Sequence, residues 1–257
     1  MARHVLDAAW SVRPISITVD GGRIKFKGSA TLIQQRESIL LVTAEHVLKG
    51  EKYAKVGIPN DLPVSVSADI GALRSRYAGV DDPDIAIVGI GRESRLRCAD
   101  TTLLEYQRSI CLDNPFLPKQ YLAGGIPASR TKLRVAHDNL QTEMMFGAFE
   151  AKKPDWYSEN SVDPETHIAV TYQRDAVITP AGDAAVGADP HGMSGGPLLV
   201  VGEAQGKRRL YPVGILTEYR ETQEFALIGV RLHIVIDCLV LGNASAQTRF
   251  LVTAATA

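Results

Sequence analysis

The chain has 257 residues, of which 45% are hydrophobic and 22% charged, a balance typical of globular proteins. Its formal net charge of -1 gives no overall attraction to nucleic acid or to an acidic membrane, so neither partner is expected. The three cysteines, Cys98, Cys111 and Cys238, are widely spaced and form no CxxC pair. They predict neither a zinc site nor a disulfide framework, and we expect no metal ion or other cofactor.

The N-terminus lacks the apolar core of a secretory signal, because Arg3, Asp7 and Arg13 interrupt it with charges. No apolar run approaches the roughly 20 residues of a membrane helix. Together with the cysteine usage, these features lead us to expect a cytoplasmic protein.

Short apolar or alternating runs between turn signals predict an all-β protein, rich in the valine, isoleucine and threonine that strands favour. In chain order the predicted strands are 15–19, 30–34, 39–43, 85–90, 132–136, 168–172, 198–201, 213–216 and 226–232. Helices do not alternate with them, so a barrel or a sandwich is favoured over an α/β sheet.

Three segments have a different character. Residues 91–119 are polar and predict a connection between two halves of the chain. An apolar stripe over 233–241 that ends at Gly242 predicts one amphipathic helix. The small, polar tail 243–257 predicts partial disorder.

Ser194 stands among glycines, in the hexapeptide GMSGGP at 192–197. Glycine and serine are common in turns, so a plain loop is one interpretation. A nucleophilic serine is the other, because glycines let the N–H groups of Gly192 and Ser194 converge into an oxyanion hole. The same residues fit the GxSxG nucleophile elbow of α/β-hydrolases, in which an acid and then a histidine follow the serine. Acidic residues and His233 follow Ser194 in that order, so the chain order alone does not exclude this fold. The elbow needs a helix after the serine, whereas a predicted strand follows, so this reading is the weaker one.

His46 and Asp84 each stand at the edge of a predicted buried strand. His46 follows the run 39–43, and Asp84 precedes the run 85–90. Singly, each has an ordinary structural interpretation, as a satisfied histidine or as a turn residue. Together with Ser194 they occur in the order His, Asp, Ser and suggest a catalytic set, with Asp82 as the second choice for the acid.

Three motifs and their flanks carry a resemblance to a known family. The sequences TAEHVL at 43–48, DPDIAIV at 82–88 and GMSGGPLL at 192–199 resemble the histidine, aspartate and serine motifs of chymotrypsin-like serine proteases. The flanks GSATLI, GGIP, PVGIL and IGVRL resemble neighbouring segments of that family, in the same order. The resemblance implies a chymotrypsin-like double β-barrel with a C-terminal α-helix. One barrel would span 1–110 with His46 and Asp84, the other barrel and the helix would span 111–242 with Ser194, and a tail would span 243–257.

The resemblance also implies a serine endopeptidase that works through an acyl-enzyme. Ser194 would attack the peptide carbonyl, His46 would act as the general base, and Asp84 would orient the histidine. Secreted members carry an aspartate where this chain has Met193 and a cysteine where it has Val47. Activation through an ion pair with a new N-terminus is therefore not expected. The departures favour an intracellular, bacterial branch, and leave open whether the oxyanion hole is preformed or ordered by a regulatory protein.

The family register places four residues at the substrate cleft: Ala188, His191, Thr217 and Tyr219. Ala188 would lie at the base of the primary pocket, where trypsins have an aspartate, which argues against cleavage after lysine or arginine. Asp189 is one residue out of that register, so a shifted loop could restore a basic preference. Tyr219 would narrow the pocket. Besides a protease with a polypeptide substrate, the alternatives are a pseudoprotease, an effector released by a partner, and an esterase.

Overall fold

A computed structural model gives the structure of the protein. It describes residues 8–19, 23–36, 38–49, 51, 53–57, 64–67, 84–89, 103–107, 110, 115–116, 118–134, 139–179, 183–204, 206–221, 224–234 and 236.

The N-terminal strands form one sheet around an apolar core. They are β1 (Val12–Thr18), β2 (Ile24–Gln35), β3 (Ser38–Thr43), β4 (Tyr53–Val56), β5 (Val64–Ser67), β6 (Ala86–Gly89) and β7 (Leu104–Glu105). The order is β5-β4-β1-β2-β3-β6 with antiparallel neighbours, and β7 pairs parallel with β2. Alternate apolar residues such as Ile15, Leu32 and Leu41 face inward and pack on Val47 and Leu48 of the one-turn helix Glu45–Leu48.

The C-terminal strands form a second sheet that closes on itself. They are β8 (Gln120–Gly125), β9 (Thr131–Arg134), β10 (Asn139–Thr142), β11 (Met145–Glu150), β12 (His167–Thr171), β13 (Val177–Ile178), β14 (Ala184–Ala185), β15 (Pro197–Ala204), β16 (Lys207–Arg220) and β17 (Ala226–Arg231). The order is β12-β17-β16-β15-β8-β11-β13-β14, with β9 and β10 as a separate hairpin. A bridge between Ala151 and Val170 joins the end of β11 to β12. Six strands therefore complete a barrel, which has no exposed edge along that circuit.

A third apolar cluster lies where the two sheets meet. It combines Ile33, Val42 and Ile87 of the first sheet with Ile215 and Val230 of the second. Burying these side chains against one another fixes the two sheets in one arrangement, and the loops that carry the predicted site lie beside this junction.

Helical structure is sparse in the described part of the chain. Besides the turn at Glu45–Leu48, helix Pro154–Glu159 covers one side of the second barrel with Trp156 and Tyr157. Of the predicted helix 233–241, residues 233, 234 and 236 are helical and the others lie outside the described residues. No helix among the described residues is long and apolar enough to cross a membrane.

The structure confirms the predicted all-β class. The sequence pattern underestimated the lengths of β15 and β16, which it predicted as 198–201 and 213–216. Both strands continue into the exposed, charged hairpin around Gly206. It missed β8 and β11, where glycines interrupt the apolar pattern, and the helix Pro154–Glu159. The predicted connection 91–119 contains β7. The boundary at residue 110 and the disordered tail 243–257 stay predictions, and the tail lies outside the described residues.

Candidate active site

Ser194 lies in a loop that leads directly into strand β15 at Pro197. No helix follows it, which excludes the hydrolase-elbow interpretation. Backbone hydrogen bonds tie this loop to β16, since Gly195 N–H donates to the Leu216 carbonyl at 2.7 Å and Leu216 N–H donates to the Gly196 carbonyl at 2.8 Å. The serine loop is thus fixed to strand β16.

The N-terminal sheet holds the other side of the serine loop through Ser29 of β2. Ser29 N–H donates to the Ser194 carbonyl at 2.9 Å. The Ser29 hydroxyl donates to the Gly192 carbonyl and accepts from Ile126 N–H, both at 2.9 Å. Thr31 adds a hydrogen bond from its hydroxyl to the Gly195 carbonyl at 2.8 Å. Because these partners belong to different sheets, the conformation of the loop depends on how the sheets dock.

The glycines of the motif are required by close backbone contacts. Gly195 has a φ of +92°, and a Cβ there would lie 1.8 Å from the Ser29 carbonyl oxygen. A Cβ at Gly196 would lie 2.0 Å from the Gly124 carbonyl oxygen. Neither position has room for a side chain, so the two glycines serve the packing of the loop between β2 and β8.

His46 and Asp84 are brought together by the pairing of β3 with β6. Thr43 lies opposite Ala86 in this ladder, so the residues just beyond the strand ends become neighbours. Asp84 Oδ2 lies 2.5 Å from His46 Nδ1, and Asp84 Oδ1 accepts from the His46 backbone N–H at 2.8 Å. The carboxylate therefore holds both the ring and the backbone of the histidine, and it favours the tautomer with the proton on Nδ1. Asp82 lies outside the described residues.

Ser194 and the histidine segment face each other across Gly28. A Cβ at Gly28 would touch both Val47, the neighbour of His46, and the Ser194 carbonyl oxygen, at 2.9 and 3.2 Å. The Ser194 hydroxyl donates to the Thr217 carbonyl at 3.5 Å, the long limit of a hydrogen bond. Among the described residues it makes no hydrogen bond to His46. The structure therefore pairs His46 with Asp84 and brings Ser194 alongside, with its hydroxyl turned to Thr217.

Two backbone N–H groups beside Ser194 are left without an acceptor in the described part of the structure. The donors of Met193, Gly195 and Gly196 all bond to backbone carbonyls, and Met193 N–H donates to Pro190 at 2.9 Å. Gly192 and Ser194 are the two that remain, and Gly192 has a φ of +92°. These are the donors that the sequence predicted for an oxyanion hole. Unpaired backbone donors beside a reactive serine can stabilise developing negative charge.

Met193 anchors the serine loop in the core of the second barrel. Its side chain is only 2% exposed and packs in the cluster that contains Tyr121 and Leu198. A methionine forms no ion pair, so apolar packing holds this part of the loop.

The predicted substrate-cleft residues Ala188, His191 and Tyr219 lie in one group, and a residue that the sequence did not single out, Tyr172, joins it. The Tyr172 hydroxyl donates to the Ala188 carbonyl at 2.5 Å. The Tyr219 ring contacts the rings of Tyr172 and His191. Thr217, on the same strand as Tyr219, presents its carbonyl to Ser194. Tyr172 is the last residue of the predicted strand 168–172. A tyrosine at the end of a strand was the only feature of the sequence that could have pointed to its contact with Ala188.

Burial and local charge set the protonation of this group. Burial raises the pKa of Tyr172 to about 12. Burial, with the charges of Glu221 and Asp189, raises the pKa of Tyr219, so both phenols are neutral near pH 7. Hydrogen bonds from the His191 backbone N–H and ring lower the pKa of Asp189, which is therefore ionised. Within the described residues, no group of three or more histidine, cysteine, aspartate and glutamate side chains could hold a metal ion.

Comparison with solved structures identifies the fold. The solved structure of GrC matches with a TM-score of 0.56 over 93% of this chain and 96% of its own, at 14% identity. The HtrA-type protease AlgW with a decapeptide matches with a TM-score of 0.53 over 94% of this chain and 68% of its own, at 16% identity. No protein-family model and no curated protein sequence matches the chain. The chain thus has the fold of the chymotrypsin-like, or trypsin-like, serine proteases.

Proposed function

We propose that this protein is a serine endopeptidase in which Ser194, His46 and Asp84 form the catalytic triad. The observation that carries the proposal is the hydrogen bond of Asp84 to His46 Nδ1, which leaves Nε2 as the basic nitrogen. The pair of unpaired N–H groups beside Ser194 supports it. A histidine held in this tautomer next to a serine is the arrangement that activates a hydroxyl.

In the proposed reaction, Ser194 Oγ turns from Thr217 and adds to the peptide carbonyl while His46 Nε2 takes its proton. Asp84 stabilises the imidazolium that forms. The N–H groups of Gly192 and Ser194 bind the oxyanion of the tetrahedral intermediate. The imidazolium then gives its proton to the leaving amine, the C–N bond breaks and an acyl-enzyme remains. Water, deprotonated by the same histidine, releases the acid and restores the serine.

The position of the Ser194 hydroxyl leads us to include regulation of the peptidase activity in the proposal. Its contact with the Thr217 carbonyl must be exchanged for one with His46 before attack. Substrate, or a regulatory protein that binds near the loop, would make this exchange, in place of zymogen cleavage. A cytoplasmic location stays a proposal that rests on the sequence.

Labelling with a fluorophosphonate tests the proposal, because this reagent modifies a serine that a base has activated. We expect the purified protein to be labelled, and Ser194→Ala and His46→Ala to abolish labelling. Ser158→Ala, at an exposed serine of helix Pro154–Glu159, is the matched control and should label like the wild type. Absence of labelling of the wild type would refute a constitutively active enzyme and favour a pseudoprotease or an effector that needs its partner. Labelling that survives in Ser194→Ala would refute the triad.

A further inference from the structure

Lys152 carries a positive charge that its surroundings cover almost completely. It follows β11, and its side chain is only 2% exposed. Its backbone N–H donates to the Ala169 carbonyl of β12 at 2.9 Å, next to the bridge that joins β11 to β12. Its ammonium group lies 5.6 Å from the centroid of the Trp156 ring and 2.8 Å from a carboxylate oxygen of Glu224. A buried ammonium group needs such partners, because little water can solvate it.

Glu224, in contrast, stands at the surface, with 68% of its side chain exposed. The hydrogen bond and the charge of Lys152 lower the pKa of Glu224, so its carboxylate is ionised near pH 7. Ion pairs in which both side chains are exposed contribute little, because water competes for both charges. Here water reaches only the carboxylate, and removal of the carboxylate would leave the ammonium group buried without its counter-ion. The pair therefore ties Glu224 firmly to the end of β11.

Phe225, the residue after Glu224, contacts two residues beside the candidate active site. Its carbonyl accepts a hydrogen bond from the Tyr172 N–H at 3.0 Å. Its ring stacks on that of Tyr219, with a centroid distance of 6.2 Å and an interplanar angle of 20°. The Phe225 side chain is 49% exposed, so packing alone holds it only in part. We therefore expect its backbone to depend on the tie at Glu224.

Tyr172 continues this chain of contacts to the serine loop. Its hydroxyl donates to the Ala188 carbonyl at 2.5 Å. The neighbouring Gly187 N–H donates to the carbonyl of Arg174 at 2.7 Å, so two hydrogen bonds link this part of the chain to the residues before the serine loop. A displacement of Tyr172 would therefore be transmitted to the segment 187–194 through contiguous hydrogen bonds.

We propose that Lys152 and Glu224 are positioning residues of the proposed peptidase. Their ion pair fixes Phe225 and, through its hydrogen bond with Tyr172, sets the geometry of the segment 187–194, which ends at the proposed nucleophile. Neither side chain touches the reacting atoms. The role in a peptidase rests on the proposed function, whereas the path of contacts does not.

Rescue by formate tests the ion pair. Glu224→Ala leaves room for a free carboxylate beside Lys152, and the double variant Lys152→Met/Glu224→Ala removes the cation that would bind it. Amide hydrogen exchange of the segment 187–194 reports on its geometry without requiring activity. It is measured at a temperature at which circular dichroism shows every variant to be folded.

Exchange in the segment 187–194 should be about 10-fold faster in Glu224→Ala than in the wild type, and formate should slow it again. Formate should have no effect on the double variant. Lys152→Met, which keeps the apolar stem, should also exchange faster and provides a second variant if Glu224→Ala does not fold. Glu203→Ala removes an exposed partner of the exposed Arg208, so as the matched control it should exchange like the wild type.

Two results of the exchange experiment would overturn the inference. One is exchange in the segment 187–194 that stays at the wild-type rate in Glu224→Ala and Lys152→Met. The other is a formate effect that is absent from Glu224→Ala or equal in the single and the double variant.

Fluorophosphonate labelling measures the consequence for Ser194. It should be about 10-fold slower in Glu224→Ala and should recover with formate. Labelling of Glu224→Ala at the wild-type rate would show that the pair does not position the active site. A wild type that is not labelled would refute the proposed peptidase, and hydrogen exchange would still decide whether the pair positions the segment. Failure of the enzyme and failure of the positioning role therefore give different results.

Discussion

Gly195 and Gly206 form a matched pair for testing why the serine loop needs glycine. Both have positive φ values, +92° and +71°. A Cβ at Gly195 would lie 1.8 Å from the Ser29 carbonyl oxygen and 2.4 Å from Thr43 Oγ1, whereas at Gly206 it meets no described atom within 4 Å. Alanine at either position therefore incurs backbone strain, of roughly 1–2 kcal/mol. Only at Gly195 must it also displace another strand.

The extra destabilisation at Gly195 follows from the contacts that would have to move. Overpacking typically costs about 1–3 kcal/mol. Displacing the Ser29 carbonyl also weakens the hydrogen bond that Thr43 donates to it at 2.7 Å, which contributes about 1 kcal/mol. With the strain included, Gly195→Ala should lower the free energy of unfolding by about 3–6 kcal/mol, and Gly206→Ala by roughly 1–2 kcal/mol.

Urea denaturation followed by circular dichroism measures the difference. With a slope of about 3 kcal/mol per molar urea, the midpoint should fall by roughly 1–2 M for Gly195→Ala and by about 0.3–0.7 M for Gly206→Ala. Equal midpoints for the two variants would refute the explanation by close packing and would leave the positive φ as the sole reason for glycine.

Three further predictions concern single side chains. Ser29→Ala leaves the Ile126 N–H and the Gly192 carbonyl without their hydrogen-bond partner. It should therefore lower the free energy of unfolding by about 1–3 kcal/mol and slow fluorophosphonate labelling. Unchanged labelling would show that the Ser29 hydroxyl does not shape the serine loop. Asp84→Asn removes the charge that holds the histidine tautomer and should slow labelling by up to about 10⁴-fold, with a loss under 10-fold contradicting its role. Burial raises the pKa of Tyr121 to about 12 from 10.0, so above pH 10 the unfolded chain loses this proton first. The free energy of unfolding should therefore fall between pH 10 and 12, by at most about 2.7 kcal/mol from this group, and urea titrations of Tyr121→Phe should show a smaller fall.

The neighbourhood of His46 and Asp84 could be predicted from the sequence because it depends on local patterns. Each residue follows or precedes an apolar run, and β3 and β6 pair so that these run ends meet. The all-β class could be predicted for the same reason, because half-buried strands show an alternating pattern of apolar and polar residues wherever they pair. The glycines around Ser194 are equally visible, although their reason, contact with β2 and β8, is not.

The roles of Ser29 and Tyr172 depend on contacts that no local pattern encodes. The Ser29 hydroxyl links backbone groups 97 and 163 residues away, which become neighbours only after the two sheets dock. Tyr172 reaches Ala188 across the loop that carries the 3₁₀ turn Arg174–Ala176 and strands β13 and β14. Periodicity reports which face of an element is buried, but not which distant backbone atom a polar side chain reaches.

The burial of Met193 has a consequence for how the site responds to its surroundings. An ion pair at this position would weaken as salt is added and would be lost when its amine deprotonates. Apolar packing has neither dependence, and the Met193 side chain has almost no contact with solvent. The part of the serine loop that Met193 anchors should thus keep its shape over a wide range of ionic strength, including the high salt at which a surface ion pair would be screened.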